Sequence, residues 1–209
     1  VNPVFVKAYI KPRLSGVVPN NNPSVLNRVS IVGGNNIEPG FNPSYVPIHW
    51  LNGYNSVANR KPLYVIASAD GCSETYPPTE PEYGYRSPGS CNNGWTQEDI
   101  YTVTWGAPSS FPFPEIYNTN YANANQWYRI GLYSRLSHNT KMRFRGSMTQ
   151  LAVCQQLRQE NPGVPKCVGV DNDPTTGFAQ LYTKIDSDPY DRIDNYMIWA
   201  SDMKRYYGP

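Results

Sequence analysis

Charge is scarce in this chain. Only 16% of the 209 residues are Asp, Glu, Lys or Arg, and 18 basic against 16 acidic side chains leave a formal net charge of +2. No Lys/Arg stripe concentrates that excess, so the electrostatic footprint of a nucleic-acid binder is missing. Histidine is scarcer still, and neither His49 nor His138 has a cysteine or carboxylate at ligand spacing, so no metal or cofactor is expected. No apolar run approaches the roughly 20 residues of a membrane span. No basic segment leads into an apolar one, so a secreted form of this chain is expected to be mature or trimmed. Ser68 and Ser147 lack the G-x-S-x-G setting of a nucleophile elbow, which argues against a serine hydrolase. Asparagine is plentiful, yet Asn22-Pro-Ser and Asn42-Pro-Ser are blocked as glycosylation acceptors by proline.

What the chain has instead is 17 Tyr, 5 Trp and 20 Pro alongside its asparagines, a surface polar without being charged. Rings stack on sugar faces and amides bond hydroxyls, so neutral glycans or a cell-envelope polymer are the partners this composition fits. The same residues also build turns in any loop-rich extracellular protein. Four cysteines fall as Cys72 with Cys91 and Cys154 with Cys167. Neither pair has zinc-knuckle or redox spacing, and of three formal connectivities the local one brackets a single loop with each pair. Each such disulfide is worth on the order of 3 kcal/mol and implies an oxidising compartment, extracellular or in the cell envelope.

The pattern predicts one α/β domain over residues 1–209. Strands are expected at 4–10, 28–32, 63–69, 111–117, 142–146 and 196–200. Helices are expected at about 44–57, 95–106, 120–137, 150–159 and 173–185, the first interrupted by Pro47 and Gly53. Thr96 with Asp99 reads as a capping box, and Trp95 can staple onto Ile100. The long 72–94 loop is expected to be tied down by the first disulfide. Strands alternating with helices argue for a parallel sheet with covering helices, an incomplete or irregular (β/α) barrel, since a closed barrel needs more strands.

At Ser68-Ala-Asp-Gly-Cys72, Gly94-Trp-Thr-Gln-Glu-Asp99, Trp105-Gly-Ala-Pro108, Pro112-Phe-Pro-Glu-Ile-Tyr117 and Asn123-Ala-Asn-Gln-Trp-Tyr128 the chain resembles secreted, largely uncharacterised bacterial proteins. These look like relatives of glycoside-hydrolase-type TIM barrels. The resemblance continues through Phe144-Arg-Gly-Ser-Met-Thr-Gln150 and Gly177-Phe-Ala-Gln-Leu-Tyr182 and covers residues 63–205. It implies compartment and fold, and carries no catalytic assignment.

Functional groups gather at the carboxyl ends of parallel strands, where Asp70, Glu115 and the turn from Arg145 to Gln150 are expected. Glycoside hydrolysis needs two carboxyl groups about the scissile bond. Asp70 and Glu115 are the candidate pair, Glu115 as proton donor because Phe113, Ile116 and Tyr117 would desolvate it. Trp95, Tyr117, Arg145 and Gln150 are the candidate substrate contacts. The acidic residues have structural counterparts: Asp70 as a turn residue before Gly71, Glu115 as an ion-pair partner of Arg143 or Arg145, and the further acids Glu98 and Asp99 as first-turn residues complementing a helix dipole. The run from Asp186 to Asp191 lacks the glycine-containing loop of a calcium site. Two functions follow: a carbohydrate-active enzyme using the acidic pair, or a non-catalytic extracellular scaffold, surface-layer or appendage subunit that self-associates through its Tyr/Asn surface.

Overall fold

The computed structural model describes residues 32–57, 61–74, 88–161, 163, 166–190, 197 and 199–203. The expected strand at 4–10, nearly all of the one at 28–32 and the middle of the 72–94 loop lie outside them.

Among the described residues, five strands are interleaved with five α-helices, two of which follow one another before the last strand: β1 Gly33–Asn36, α1 Tyr45–Val57, β2 Leu63–Ala67, α2 Gln97–Tyr101, β3 Ser110–Pro114, α3 Ala122–His138, β4 Gly146–Thr149, α4 Leu151–Glu160, α5 Pro174–Asp186 and β5 Trp199–Asp202. A π-helical turn, Thr102–Gly106, extends α2. Every pairing among the described strands is parallel: β1 with β2 and β2 with β3 form one sheet, β4 with β5 a second. A parallel bridge between Glu115 and Met148 links the two, with the Ile116 N–H bonded to Met148 O at 2.8 Å. The strands therefore follow one another across the molecule in chain order, and no barrel closes among the described residues.

The junction between β3 and β4 is thin for a reason written in the sequence. The Glu115 N–H turns to Ala67 of β2, at 2.9 Å, and the next residue's N–H turns to β4. By that alternation the N–H groups facing β4 earlier in the strand belong to positions 112 and 114, which are prolines and have none. The expected strand at 142–146 is corrected accordingly. Met142 and Phe144 are buried and Arg143 exposed, as an alternating strand requires, but the ladder forms only from Gly146 onward. The last strand likewise lies later than expected, at Trp199–Asp202.

Helix starts follow their caps. Thr96 and Asp99 bond reciprocally, the Thr96 N–H to the carboxylate at 2.8 Å and the Asp99 N–H to the Thr96 hydroxyl at 3.2 Å. Asp173 accepts from the N–H groups of Thr175 and Thr176, with Pro174 at the first helical position. Helix α1 forms despite Pro47, which sits in its first turn, where a missing N–H costs nothing.

Leu63, Val65 and Ala67 of β2 are fully buried in one core with Trp95, Ile100, Trp127, Ile130, Leu181 and Ile185, while Tyr64 and Ile66, pointing the other way, are half-buried. Helix α5 closes tightly on this packed side: a side chain at Gly177 would meet Thr149 Cγ2 at 2.7 Å and Ile116 O at 3.2 Å. Both disulfides form as the local pairing requires, Cys72 with Cys91 and Cys154 with Cys167. No described helix is long and apolar enough to cross a membrane.

Candidate functional site

Register decides which side chains share the second face of the sheet. Asn36 pairs with Ile66, Ile66 with Phe113, and Glu115 with Met148. The ladder continues past β1, where the Ile37 N–H bonds Ile66 O at 2.9 Å. One alternation further on, Glu38, Ser68 and Glu115 fall in a single row across β1, β2 and β3, at their carboxyl ends. Asp70 and Tyr117 lie two residues beyond Ser68 and Glu115 on the same face.

Each loop carrying these groups is fastened. The segment after β1 is held where Trp95 Nε1 donates to Asn42 O at 2.7 Å and Asn93 Nδ2 to Pro39 O at 3.0 Å. Asp70 O accepts the Asn92 N–H at 2.9 Å, beside the Cys72–Cys91 bond, and Cys72 O accepts Gln126 Nε2 at 2.9 Å. Gly71 takes φ +71° there, against Asn92, where a Cβ has no room. Tyr117 is gripped on both backbone groups, its N–H by Asn123 Oδ1 at 3.0 Å and its carbonyl by the Asn172 N–H at 3.0 Å. Several of the abundant asparagines thus hold loops in place at the strand ends.

Glu115 has no exposed surface, and neither carboxyl oxygen makes a hydrogen bond of standard geometry. Burial, opposed in part by the Tyr117 hydroxyl and reinforced by the negative charges of Glu38 and Asp70, pushes its pKa up to about 8. Glu38 is raised too, chiefly by burial; its bond from Asn36 Nδ2 at 2.8 Å opposes this and Asp70 adds to it. The Tyr117 hydroxyl is raised by burial and by the Glu115 charge beside it. Three carboxyl groups on three adjacent strand ends therefore sense one another, and the deepest is neutral at pH 7.

Asp70, Glu115 and Tyr117 come together, and Gln150 follows β4 directly at the same end of the sheet. Two expected substrate contacts do not join them. Trp95 is fully buried, its indole N–H taken by a backbone carbonyl, because the residue stapling a helix entry belongs to the core. Arg145 precedes β4, with its N–H toward Pro112 O and its guanidinium 4.7 Å over the Phe111 ring, at the opposite end of the strands. The ion-pair alternative for Glu115 also falls away, since the side chains that act on its carboxyl are Tyr117, Glu38 and Asp70 and neither Arg143 nor Arg145 is among them. Glu98 is structural: its Oε2 accepts the Tyr133 hydroxyl at 2.7 Å and meets His138 Nε2 at 2.7 Å. No group of three or more His, Cys, Asp or Glu among the described residues is arranged to hold a metal ion.

Glu38 is the residue that sequence reasoning missed. It follows Gly-Gly-Asn-Asn, which reads as a turn, so no strand pointed to it. A cavity of about 550 Å³ lies against it, between β1 and α1, with Asn36, Phe41, Asn42, His49 and Trp50 among its walls. Fold and site together define a parallel α/β protein with an acidic cluster at its strand ends. No family model, curated protein or solved structure matches the chain.

Proposed function

We propose that this is an extracellular or cell-envelope protein of glycoside-hydrolase type, built on an open arc of a (β/α) barrel. It cleaves glycans with Glu115 as the source of the proton and Asp70 as the partner carboxylate. One observation carries the reading: a fully buried carboxyl lies at the end of a central parallel strand with carboxyl groups on both adjacent strand ends, and burial pushes its pKa up to about 8. A neutral acid beside an ionisable one is the asymmetry that two-carboxylate hydrolysis uses. Parallel strands in chain order support the barrel-type assignment, since barrels grow by adding each βα unit to the same edge. Two disulfides fit the oxidising compartment.

The test is hydrolysis of cello-, xylo- and manno-oligosaccharides, and of their α-linked counterparts, followed by reducing-end release. Glu115→Gln is expected to lower turnover on the order of 100-fold or more. Full turnover in that variant, or no cleavage by the native chain of any member, would sink the proposal.

The scaffold reading draws on Phe41, Tyr45, Tyr121 and Tyr190, which are 59%, 62%, 45% and 70% exposed. It requires self-association, so a monomer in sedimentation at high concentration counts against it.

A further inference from the structure

A difficulty attaches to Glu115 as the group that touches substrate. None of its surface is exposed, and it takes no part in lining the cavity beside β1. Glu38 is half-buried and does line it.

We propose that Glu38 is the acid that meets the glycan, that the cavity between β1 and α1 seats a neutral sugar, and that Glu115 stands behind Glu38 as the group that reprotonates it. This rests on the hydrolytic reading and deepens it, moving the substrate contact from β3 to β1 and naming the substrate class.

Geometry supports the transfer. Glu38, Ser68 and Glu115 share one row by register; in that row the Ser68 hydroxyl and both Glu115 oxygens are buried with no hydrogen bond of standard geometry, and the Glu115 carboxyl interacts with the Glu38 carboxyl and the Tyr117 hydroxyl. Buried polar atoms nearly always find partners. Here the Ser68 hydroxyl and the Glu115 carboxyl lack one of standard geometry, in a row that ends with Glu38 at the cavity wall. One Glu38 oxygen is fixed by Asn36 at 2.8 Å, which orients the carboxyl. Asp70 and Glu115 are the ionisable groups that act on it across the sheet, and His49 of α1 borders the same cavity.

The walls define the ligand. A volume of about 550 Å³ falls within the usual range of small-molecule sites. The amides of Asn36 and Asn42 offer donors and acceptors to hydroxyls, while Phe41 and Trp50 offer ring faces. No Lys or Arg is among the described lining residues, so nothing there compensates a uronate or a sulfate.

The step balances. The Glu38 proton passes to the glycosidic oxygen as its bond to the anomeric carbon breaks. Water adds its hydroxide to that carbon and its proton to Asp70. Glu115 reprotonates Glu38, and the proton on Asp70 returns to Glu115, so only water is consumed.

Leaving-group chemistry tests it. 2,4-Dinitrophenyl glycosides need no protonation to depart, whereas oligosaccharides do. Glu38→Gln is expected to lose on the order of 100-fold or more on oligosaccharides while staying within about 3-fold of native on the dinitrophenyl series. Oligosaccharide turnover near native in Glu38→Gln, with Glu115→Gln inactive, overturns the inference and leaves the hydrolytic reading standing. Near-native turnover in Glu115→Gln removes the hydrolytic reading itself. Phe41→Ala, at an exposed position that tolerates truncation, tests the cavity even if the Glu38 variant fails to fold. A rise in KM of about 10-fold for neutral oligosaccharides with kcat kept is expected, and an unchanged KM overturns the cavity assignment.

Discussion

At the scale of single residues, Glu115 links site and stability. Its carboxyl ionises near the ordinary 4.5 in the unfolded chain and near 8 in the folded one. The native state therefore holds a proton that the unfolded state has released across that window, and stability falls as pH rises from 4.5 to 8 and then levels. Over the full window this amounts to on the order of 5 kcal/mol. Glu38, also raised, acts with the same sign. Glu115→Gln should flatten the slope and give a higher Tm than the native chain at pH 9, read by thermal unfolding at pH 5, 7 and 9. A native chain whose Tm is level or rising from pH 5 to 8 would contradict this. Asp173, lowered by its helix-cap bonds, has the opposite sign and contributes stability that is lost only as pH falls through the acid range.

At the scale of elements, the capping box at α2 was written plainly in Thr96 and Asp99. Thr96→Ala should cost about 1 kcal/mol, checked as a shift in denaturant midpoint with unchanged slope. Periodicity also carried α5, where Leu181 and Ile185 are buried and Phe178 stacks on Tyr182 at 5.9 Å between ring centroids. What escaped was strand formation without strand residues. Gly33-Gly-Asn-Asn36 has almost no β propensity and becomes β1 because its neighbour Leu63–Ala67 offers a ladder and Gly33 admits the Tyr54 ring nearby. With β1 unread, Glu38 had no strand to end. The placement of Asp70 and Glu115 at strand ends was legible because Asp70 follows the apolar run 63–69 and Glu115 lies late in the run 111–117. Trp95 and Arg145 lie away from the acidic cluster, and this was not legible because residue type alone does not say which end of a strand, or which side of a helix entry, a side chain serves.

At the scale of the molecule, the two disulfides guard different things. Cys72 and Cys91 are buried beside Asp70, bonded into α3 through Gln126. Cys154 and Cys167 tie an exposed stretch after α4, where Val168 is 83% exposed. Each bridge should contribute on the order of 3 kcal/mol through loop closure. Replacing both members of the first by Ala should cost more than that, because buried contacts are lost with it, whereas the second pair should cost no more than the loop-closure figure. Denaturant titration of the two double variants compares them directly, and equal losses would contradict the distinction.

The prolines at 112 and 114 give this molecule a line of weakness as well as a shape. A sheet missing donors at its middle joint is expected to part there first, with one disulfide on each side, and amide exchange at Ile116 no faster than within β2 would contradict this. Glu115 sits on the bridge that holds the joint together. Once water reached it, the carboxyl would ionise at neutral pH, and two seams of the protein's chemistry would fail as one: the halves would resist closing until a proton came back.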